Sequence, residues 1–158
     1  MNLLFANILL ALVWAMTLGD FTPANFAVGF LLGYVLLHLA SSSRNKPLYF
    51  VKVGQAIRFH LFAFKELIRA NFRMVRYTLS PLNSVSPGIL AIPLNPDMSE
   101  TEITVLANLV TLTPGTLSLD VSADRSTLFV HYMHIEDPEA ERRDITEGFE
   151  RRLLELTR

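Results

Sequence analysis

The sequence predicts a membrane-anchored protein with three parts: an α-helical hairpin in the membrane, a basic amphipathic helix, and a small α+β domain with the element order β-α-β-β-α. Three observations predict this fold class. Two apolar runs, Asn2–Leu18 and Phe21–Ala40, contain no lysine or arginine. Eight basic residues then fall between positions 44 and 76. After position 81, strand and helix patterns alternate in a segment that is acidic overall.

The charges of this 158-residue chain are segregated, although its net charge is only −1. Residues 44–76 carry eight bases and one acid, a net of +7, whereas residues 97–158 carry thirteen acids and six bases, a net of −7. The basic segment suits anionic lipid head groups or acidic protein surfaces, and a chain with this layout is a poor candidate for nucleic-acid binding. The chain has no cysteine, which excludes disulfides, a thiol nucleophile and cysteine-based metal sites.

Residues 1–43 are predicted to form a two-helix transmembrane hairpin. A membrane-spanning helix needs roughly 20 mostly apolar residues, and the second run has this length while the first lies near the lower limit. The connector Gly19–Pro23 contains residues that end one helix and begin the next. A connector this short makes the helices antiparallel, and the bases Arg44 and Lys46 then place both ends on the cytoplasmic side. A cleaved signal peptide is the alternative, but no basic residue precedes the apolar run as such peptides require.

Two features of the hairpin bear on its role. Gly29 and Gly33 form a GxxxG spacing, which allows close helix packing inside lipid, either within the chain or against another subunit. The only carboxylate or imidazole side chains of the hairpin are Asp20 at its turn and His38 near its cytoplasmic end. Because ion-conducting spans normally carry ionisable groups, a proton or cation relay through this chain alone is not expected.

Residues 44–80 are predicted to form a basic amphipathic helix. Helical periodicity places five bases on one face and mostly apolar residues on the other; these bases are Arg58, Lys65, Arg69, Arg73 and Arg76. A helix lying in the membrane interface is favoured, with the apolar face at the acyl boundary and the bases at the head groups. A soluble helix packed on the C-terminal domain is the main alternative. A third span is disfavoured, because each central base costs about 2.5–3.5 kcal/mol on insertion.

Residues 81–158 are predicted to form the cytoplasmic α+β domain. Its helix after the first strand begins at an S-x-x-E capping box, Ser99 to Glu102, and Pro114 with Gly115 marks a turn into the next strand. The predicted elements are a strand at 89–94, a helix at 99–109, strands at 117–121 and 127–133, and a final helix from 137 to about 156. This order defines a small layered domain.

No catalytic, cofactor or metal site is predicted. The eligible side chains are Asp120, Asp124, His131 and His134. The two histidines are three residues apart in a predicted strand, which places them on opposite faces, and aspartate is favoured in hairpin loops for turn reasons alone. Nucleophile, zinc and phosphate-loop motifs are missing from the sequence, so an enzyme on a membrane anchor is disfavoured.

The segment around the predicted turn carries a resemblance. Residues 108–121 read Asn-Leu-Val-Thr-Leu-Thr-Pro-Gly-Thr-Leu-Ser-Leu-Asp-Val, with Leu-Phe-Val-His at 128–131. This pattern closely resembles the E subunit of multisubunit monovalent cation/proton antiporters, the Mrp-type complexes, and the likeness extends over essentially the whole chain. The motif residues singled out are Asn108, Thr111, Thr113, Pro114, Gly115, Thr116 and Asp120.

The resemblance implies a multi-pass subunit of the bacterial inner membrane, in a complex that exports Na⁺ in exchange for H⁺. In that family the ion-translocating channels belong to larger subunits, so the resemblance implies an accessory or assembly role that supports sodium export and pH homeostasis. It implies other membrane subunits as partners and supplies no catalytic residue. From the residues alone, a stand-alone membrane-tethered adaptor or regulatory module fits equally well. The Thr-Leu-Thr-Pro-Gly-Thr turn has two open interpretations, a purely structural turn or a subunit interface.

Overall fold

The computed structural model describes residues 3–41, 47–81 and 85–158. Arg44 and Lys46, on which the predicted cytoplasmic side depends, lie outside these ranges. The elements are α1 (Leu3–Leu18), α2 (Pro23–Ala40), α3 (Leu48–Leu79), β1 (Gly88–Pro93), α4 (Glu100–Leu112), β2 (Thr116–Val121), β3 (Thr127–Tyr132), α5 (Pro138–Arg143), a π-helical segment (Asp144–Glu150) and α6 (Arg151–Thr157). The predicted helical N-terminal region and the small domain of strands and helices are confirmed.

The chain divides into two compact units, residues 1–54 and residues 55–158. The sequence-based boundaries, after residues 43 and 80, differ from this division because α3 contributes to both units. Phe50, near the start of α3, is buried in the first unit, and Phe59 belongs to the hydrophobic core of the second. α3 therefore has residues in both units.

In the first unit, α1 and α2 form an antiparallel hairpin. Gly19 adopts a φ of +69° at the turn, a conformation that glycine accepts without steric cost. Thr22 is the N-cap of α2, and the Asp20 carboxylate accepts hydrogen bonds from the Thr22 main-chain N–H (3.1 Å) and the Asn25 side chain (2.6 Å). Of the described helices, α2 has the length and composition of a membrane span, and α1 is a shorter apolar helix of 16 residues.

The second unit is built on a three-stranded antiparallel sheet in the order β1-β3-β2. One face of the sheet carries the core: Leu90, Ile92, Leu128, Val130 and Tyr132 are buried there. The alternate residues point to the opposite face, as the period of two requires, and several of them are exposed. The described residues of the second unit therefore cover one face of this sheet.

Helices cover the core face of this sheet. The predicted capping box opens α4: the Ser99 hydroxyl accepts from the Glu102 N–H, and the Glu102 carboxylate accepts from the Ser99 N–H at 2.8 Å. The predicted final helix spans 138–157, but its middle is π-helical. Ile145, Phe149 and Leu153 from this stretch complete the core. The π-helical register falls outside the 3.6-residue pattern, so helical periodicity could not predict it.

Candidate membrane and partner interface

The two glycines predicted as a packing face lie in the contact between α1 and α2. Gly29 and Gly33 are buried. A Cβ at Gly29 would lie 2.9 Å from the Trp14 Cβ, and one at Gly33 would overlap the Asn7 Oδ1. These separations are shorter than real side chains tolerate, so a side chain at either position would force a neighbouring group to move. The hairpin itself thus accounts for the GxxxG spacing.

Asn7 is a site residue that the sequence reasoning missed. Its side chain is fully buried (0% exposed), and its Nδ2 donates to the Tyr49 hydroxyl at 3.0 Å. Its Oδ1 faces the Gly33 backbone and has no hydrogen-bond partner among the described residues. Polar side chains in membrane helices commonly join helices through such bonds. An asparagine within an apolar run was the available signal, and here it links α1 to the first turn of α3.

An aromatic cluster closes the same end of the hairpin. The His38 ring stacks on Tyr34 (6.2 Å between centroids) and meets the edge of Phe50 (4.9 Å). Tyr49 also meets Tyr34 at 5.8 Å. His38 is therefore part of an aromatic packing contact, and together with the Asn7 hydrogen bond this cluster fixes the first turn of α3 to the end of α2.

The five predicted bases of α3 lie on a solvent-exposed flank of the helix. Arg58, Lys65, Arg69, Arg73 and Arg76 are all exposed. Arg69 forms an ion pair with Glu66 at 2.8 Å. An exposed pair of this kind contributes little to stability. The structure therefore keeps most of this positive charge at the surface, where it can act on a partner.

Another side of α3 packs on the C-terminal domain. Phe59 lies in the core, and the Phe62 ring contacts Phe149 edge to face with centroids 5.2 Å apart. The Arg152 guanidinium lies 4.0 Å above the Phe62 ring, a favourable cation–π distance. The domain-packed helix, which the sequence left as an alternative to the membrane-lying helix, is thus present in the second unit.

A crevice of about 390 Å³ separates α3 from the C-terminal helices. Its lining carries charges of both signs, among them Arg73, Arg143, Glu141 and Asp144. Burial raises the pKa of Glu141, and the nearby Arg73 opposes this shift. Within the described ranges, no three His, Asp or Glu side chains are grouped as metal ligands. The crevice therefore has neither the single charge sign of an ion-binding site nor a ligand set for a metal.

The Thr-Leu-Thr-Pro-Gly-Thr motif forms the turn between α4 and β2. The Thr116 N–H donates to the Thr113 carbonyl at 3.2 Å. Pro114 and Gly115 occupy the two central positions, and Gly115 has a φ of +92°. This is the geometry that a Pro-Gly pair predicts. The Met133 N–H donates to the Gly115 carbonyl at 2.8 Å, which ties the turn to the end of β3.

The threonine hydroxyls satisfy the backbone around this turn. The hydroxyls of Thr113 and Thr116 lie 2.5 Å apart, and both reach the Val110 carbonyl at 2.6 Å. The Thr111 hydroxyl accepts from the Ser118 N–H at 3.1 Å, within β2. Carbonyls at a helix end need such partners. Thr111, Thr113 and Thr116 therefore have structural functions in the fold.

The remaining motif residues and the histidines play different parts. Asn108 is exposed on α4, and the exposed Asp120 lies at an irregularity in the pairing of β2 with β3. Their polar side chains face solvent. The His131 side chain lies on the outer face of β3, whereas the Nδ1 of His134 accepts from the Ser86 N–H at 2.9 Å. The structure does not bring the two histidines together.

Comparisons with known proteins agree with this architecture. A family model described as a Na⁺/H⁺ ion antiporter subunit matches residues 7–156. The chain is 36% identical to the E subunit of the Na⁺/H⁺ antiporter of Bacillus subtilis and 33% identical to that of Alkalihalophilus pseudofirmus, each over 96% of both chains. It also resembles a chain of the membrane-bound sulfane sulfur reductase, an archaeal respiratory membrane complex, with a TM-score of 0.56, 25% identity and 96% of each chain covered. The predicted resemblance is confirmed: the chain belongs to the family of E subunits of multisubunit, Mrp-type Na⁺/H⁺ antiporters.

Proposed function

We propose that this subunit anchors and assembles its antiporter complex, thereby supporting sodium export and pH homeostasis, and does not itself conduct Na⁺ or H⁺. The observation that carries this proposal is the composition of the hairpin. Neither α1 nor α2 contains an aspartate, glutamate, lysine or arginine. Membrane segments that translocate ions carry such groups, usually facing a partner or a water-filled cavity.

The polar groups of the hairpin support an anchoring role because packing already engages them. Asp20 accepts hydrogen bonds within the turn, His38 stacks in the aromatic cluster, and Asn7 bonds to Tyr49. A conduit would instead need polar groups with open access along the span. The interior of the hairpin is occupied by small residues and glycine contacts, which favours helix packing over a water path.

Other membrane subunits are the proposed partners. The relatives bear the name of antiporter subunits, and one structural neighbour belongs to a respiratory membrane complex. The outward faces of α1 and α2 expose large apolar side chains, for example Phe5, Val13, Leu31 and Leu36. These faces suit lipid or a neighbouring transmembrane helix. Membership of a complex favours the subunit function over a stand-alone adaptor.

We further propose that both termini lie in the cytoplasm and that the bases of α3 meet anionic head groups. Basic residues accumulate on the cytoplasmic side of membrane proteins, and the eight bases of residues 44–76 follow α2 directly. Anionic lipids attract such segments with about 1 kcal/mol per base near the surface.

The test separates conduction from assembly in the intact complex. Asp20→Asn and His38→Phe remove the carboxylate and the imidazole of the hairpin, and phenylalanine keeps an aromatic ring in the cluster. We expect Na⁺/H⁺ exchange in inverted membrane vesicles, normalised to the amount of purified complex, to stay unchanged in both variants. Gly33→Leu should instead lower the amount of complex recovered. Loss of exchange in a fully assembled Asp20→Asn or His38→Phe complex would overturn the accessory role.

A further inference from the structure

α3 has three distinct sides along its length in the second unit. One side packs on the domain through Phe59 and Phe62. A second side is the basic flank. The third side carries an apolar stripe, defined here as Leu61, Phe64, Ile68, Phe72, Val75 and Leu79, whose members are between 41% and 82% exposed. Soluble proteins rarely leave so continuous an apolar surface open to water.

The stripe is long enough to matter energetically. Leu61 and Leu79 are 18 residues apart in one helix, so the stripe extends about 27 Å along the helix axis. Its members recur at intervals of three and four residues, the spacing of one helix face. The two phenylalanines lie at its centre and are 60% and 73% exposed.

The position of α3 in the chain indicates what covers this stripe. The first turn of α3 is fixed to the end of the hairpin, where Tyr49 bonds to Asn7 and Phe50 packs on His38. The helix therefore begins at the end of a membrane-spanning element. The stripe starts 11 residues after Phe50 in the same unbroken helix.

Charge complementarity points to the same occupant. Lys65, Arg69 and Arg76 occupy the flank beside the stripe at helical spacing. An apolar face bordered by bases matches the two layers of an anionic bilayer surface, acyl chains below and phosphates above. Glu66 is the only acid of α3, so little negative charge opposes contact with such lipids.

We propose that the apolar stripe of α3 inserts into the cytoplasmic leaflet, so that α3 lies in the plane of the membrane with the C-terminal domain packed on its other side. This inference rests on the proposed function in one respect, that the hairpin spans the membrane and leaves α3 on the cytoplasmic side. One side of α3 then contacts the membrane while another side packs on the C-terminal domain.

The native chain has no cysteine, which allows a direct depth measurement on the full chain. Single cysteines replace Phe64 and Phe72 in the stripe, Lys65 on the flank, and the exposed domain residue Thr101 as the control. Each variant carries a bimane fluorophore and is reconstituted in nanodiscs of phosphatidylcholine and phosphatidylglycerol, alone and within the complex. Quenchers attached to the acyl chains report burial in lipid, and aqueous iodide reports exposure to water.

We expect acyl-chain quenching at positions 64 and 72 to exceed that at Thr101 by roughly fivefold or more, as an interfacial helix buried 5–10 Å requires. Acyl-chain quenching at position 65 should be intermediate. Quenching by iodide should rank the same positions in the opposite order. Phe64→Ser combined with Phe72→Ser should remove acyl-chain quenching from a label at position 68. In the same Phe64→Ser, Phe72→Ser background, a label placed at position 101 instead and the recovery of the complex show whether the protein is intact.

Two results would overturn the membrane placement. Equal iodide quenching at positions 64, 72 and 101 would show that the stripe faces water. Protection of positions 64 and 72 in the complex but not in the chain alone would show that another subunit covers the stripe. Neither result touches the accessory role, which is judged by exchange in the Asp20→Asn and His38→Phe complexes.

Discussion

Gly33→Ala should weaken the packing of α1 on α2. The new Cβ would overlap the Asn7 Oδ1 and lie 3.1 Å from the Leu10 Cβ. Overpacking of this kind costs about 1–3 kcal/mol. A turn of the Asn7 side chain that relieves the overlap would also disturb its bond to Tyr49, and a hydrogen bond of this kind contributes about 0.6–1.7 kcal/mol. If both costs apply, the combined loss is about 2–5 kcal/mol.

Gly54→Ala is the matched control for this change. A Cβ at Gly54 meets nothing within 4 Å, and Gly54 lies within α3. Alanine there should stabilise the helix by about 0.5–1 kcal/mol. The assay is the midpoint of thermal unfolding of the full chain in mild detergent, read as loss of the monodisperse peak after heating. Asn7→Ala in the Gly33→Ala background should recover part of the loss. Equal midpoints for Gly33→Ala and Gly54→Ala would refute the described α1–α2 contact.

Two further predictions concern the C-terminal domain. Thr116→Val removes a hydroxyl that bonds to the Val110 carbonyl. It should lower the unfolding free energy of the lone chain by about 1–3 kcal/mol and reduce the recovery of the complex in parallel. Thr101→Val, at an exposed helix position, is the control, and lower recovery with unchanged stability would favour a subunit interface. Burial raises the pKa of Glu150, so the folded state holds its proton more tightly than the unfolded state and stability falls as pH rises from about 4.5 through the folded pKa. Glu150→Gln, which keeps the Asn95 N–H bond, should raise the thermal midpoint at pH 7 and lose that advantage below about pH 4.5; a constant difference across this range would contradict the assignment.

The sequence predicted the structure best where a short pattern of residues favours one local conformation. The capping box at Ser99 and the Pro-Gly turn at 114–115 were predicted residue by residue, because their hydrogen bonds are local in the chain. The hairpin followed from two apolar runs and a short connector. The residue that caps α2 could not be predicted in the same way, because both Asp20 and Thr22 are suitable capping residues. Only the folded turn shows that Thr22 caps α2.

The missed features depend on contacts between distant residues. Asn7 and Tyr49 are 42 positions apart, and no local pattern indicates that they meet. The π-helical segment interrupts the periodicity on which helix prediction depends. The threonine motif shows the same limit in a different way. Its residues identify the family, whereas their role as backbone partners at the end of α4 becomes clear only from the distances.

α3 shows why the remaining ambiguity could not be removed from periodicity alone. A hydrophobic pattern reports that a helix has apolar sides, but does not report what covers each side. The residues on two of those sides, Phe62 toward the domain and Phe64 toward solvent, are the same in type and only two positions apart in the sequence, which places them on nearly opposite sides of the helix. Only the folded domain shows which of these sides is covered. Its core packs against Phe62 and leaves Phe64 exposed. The open apolar side of α3 is the observation from which we propose that this helix lies in the bilayer interface.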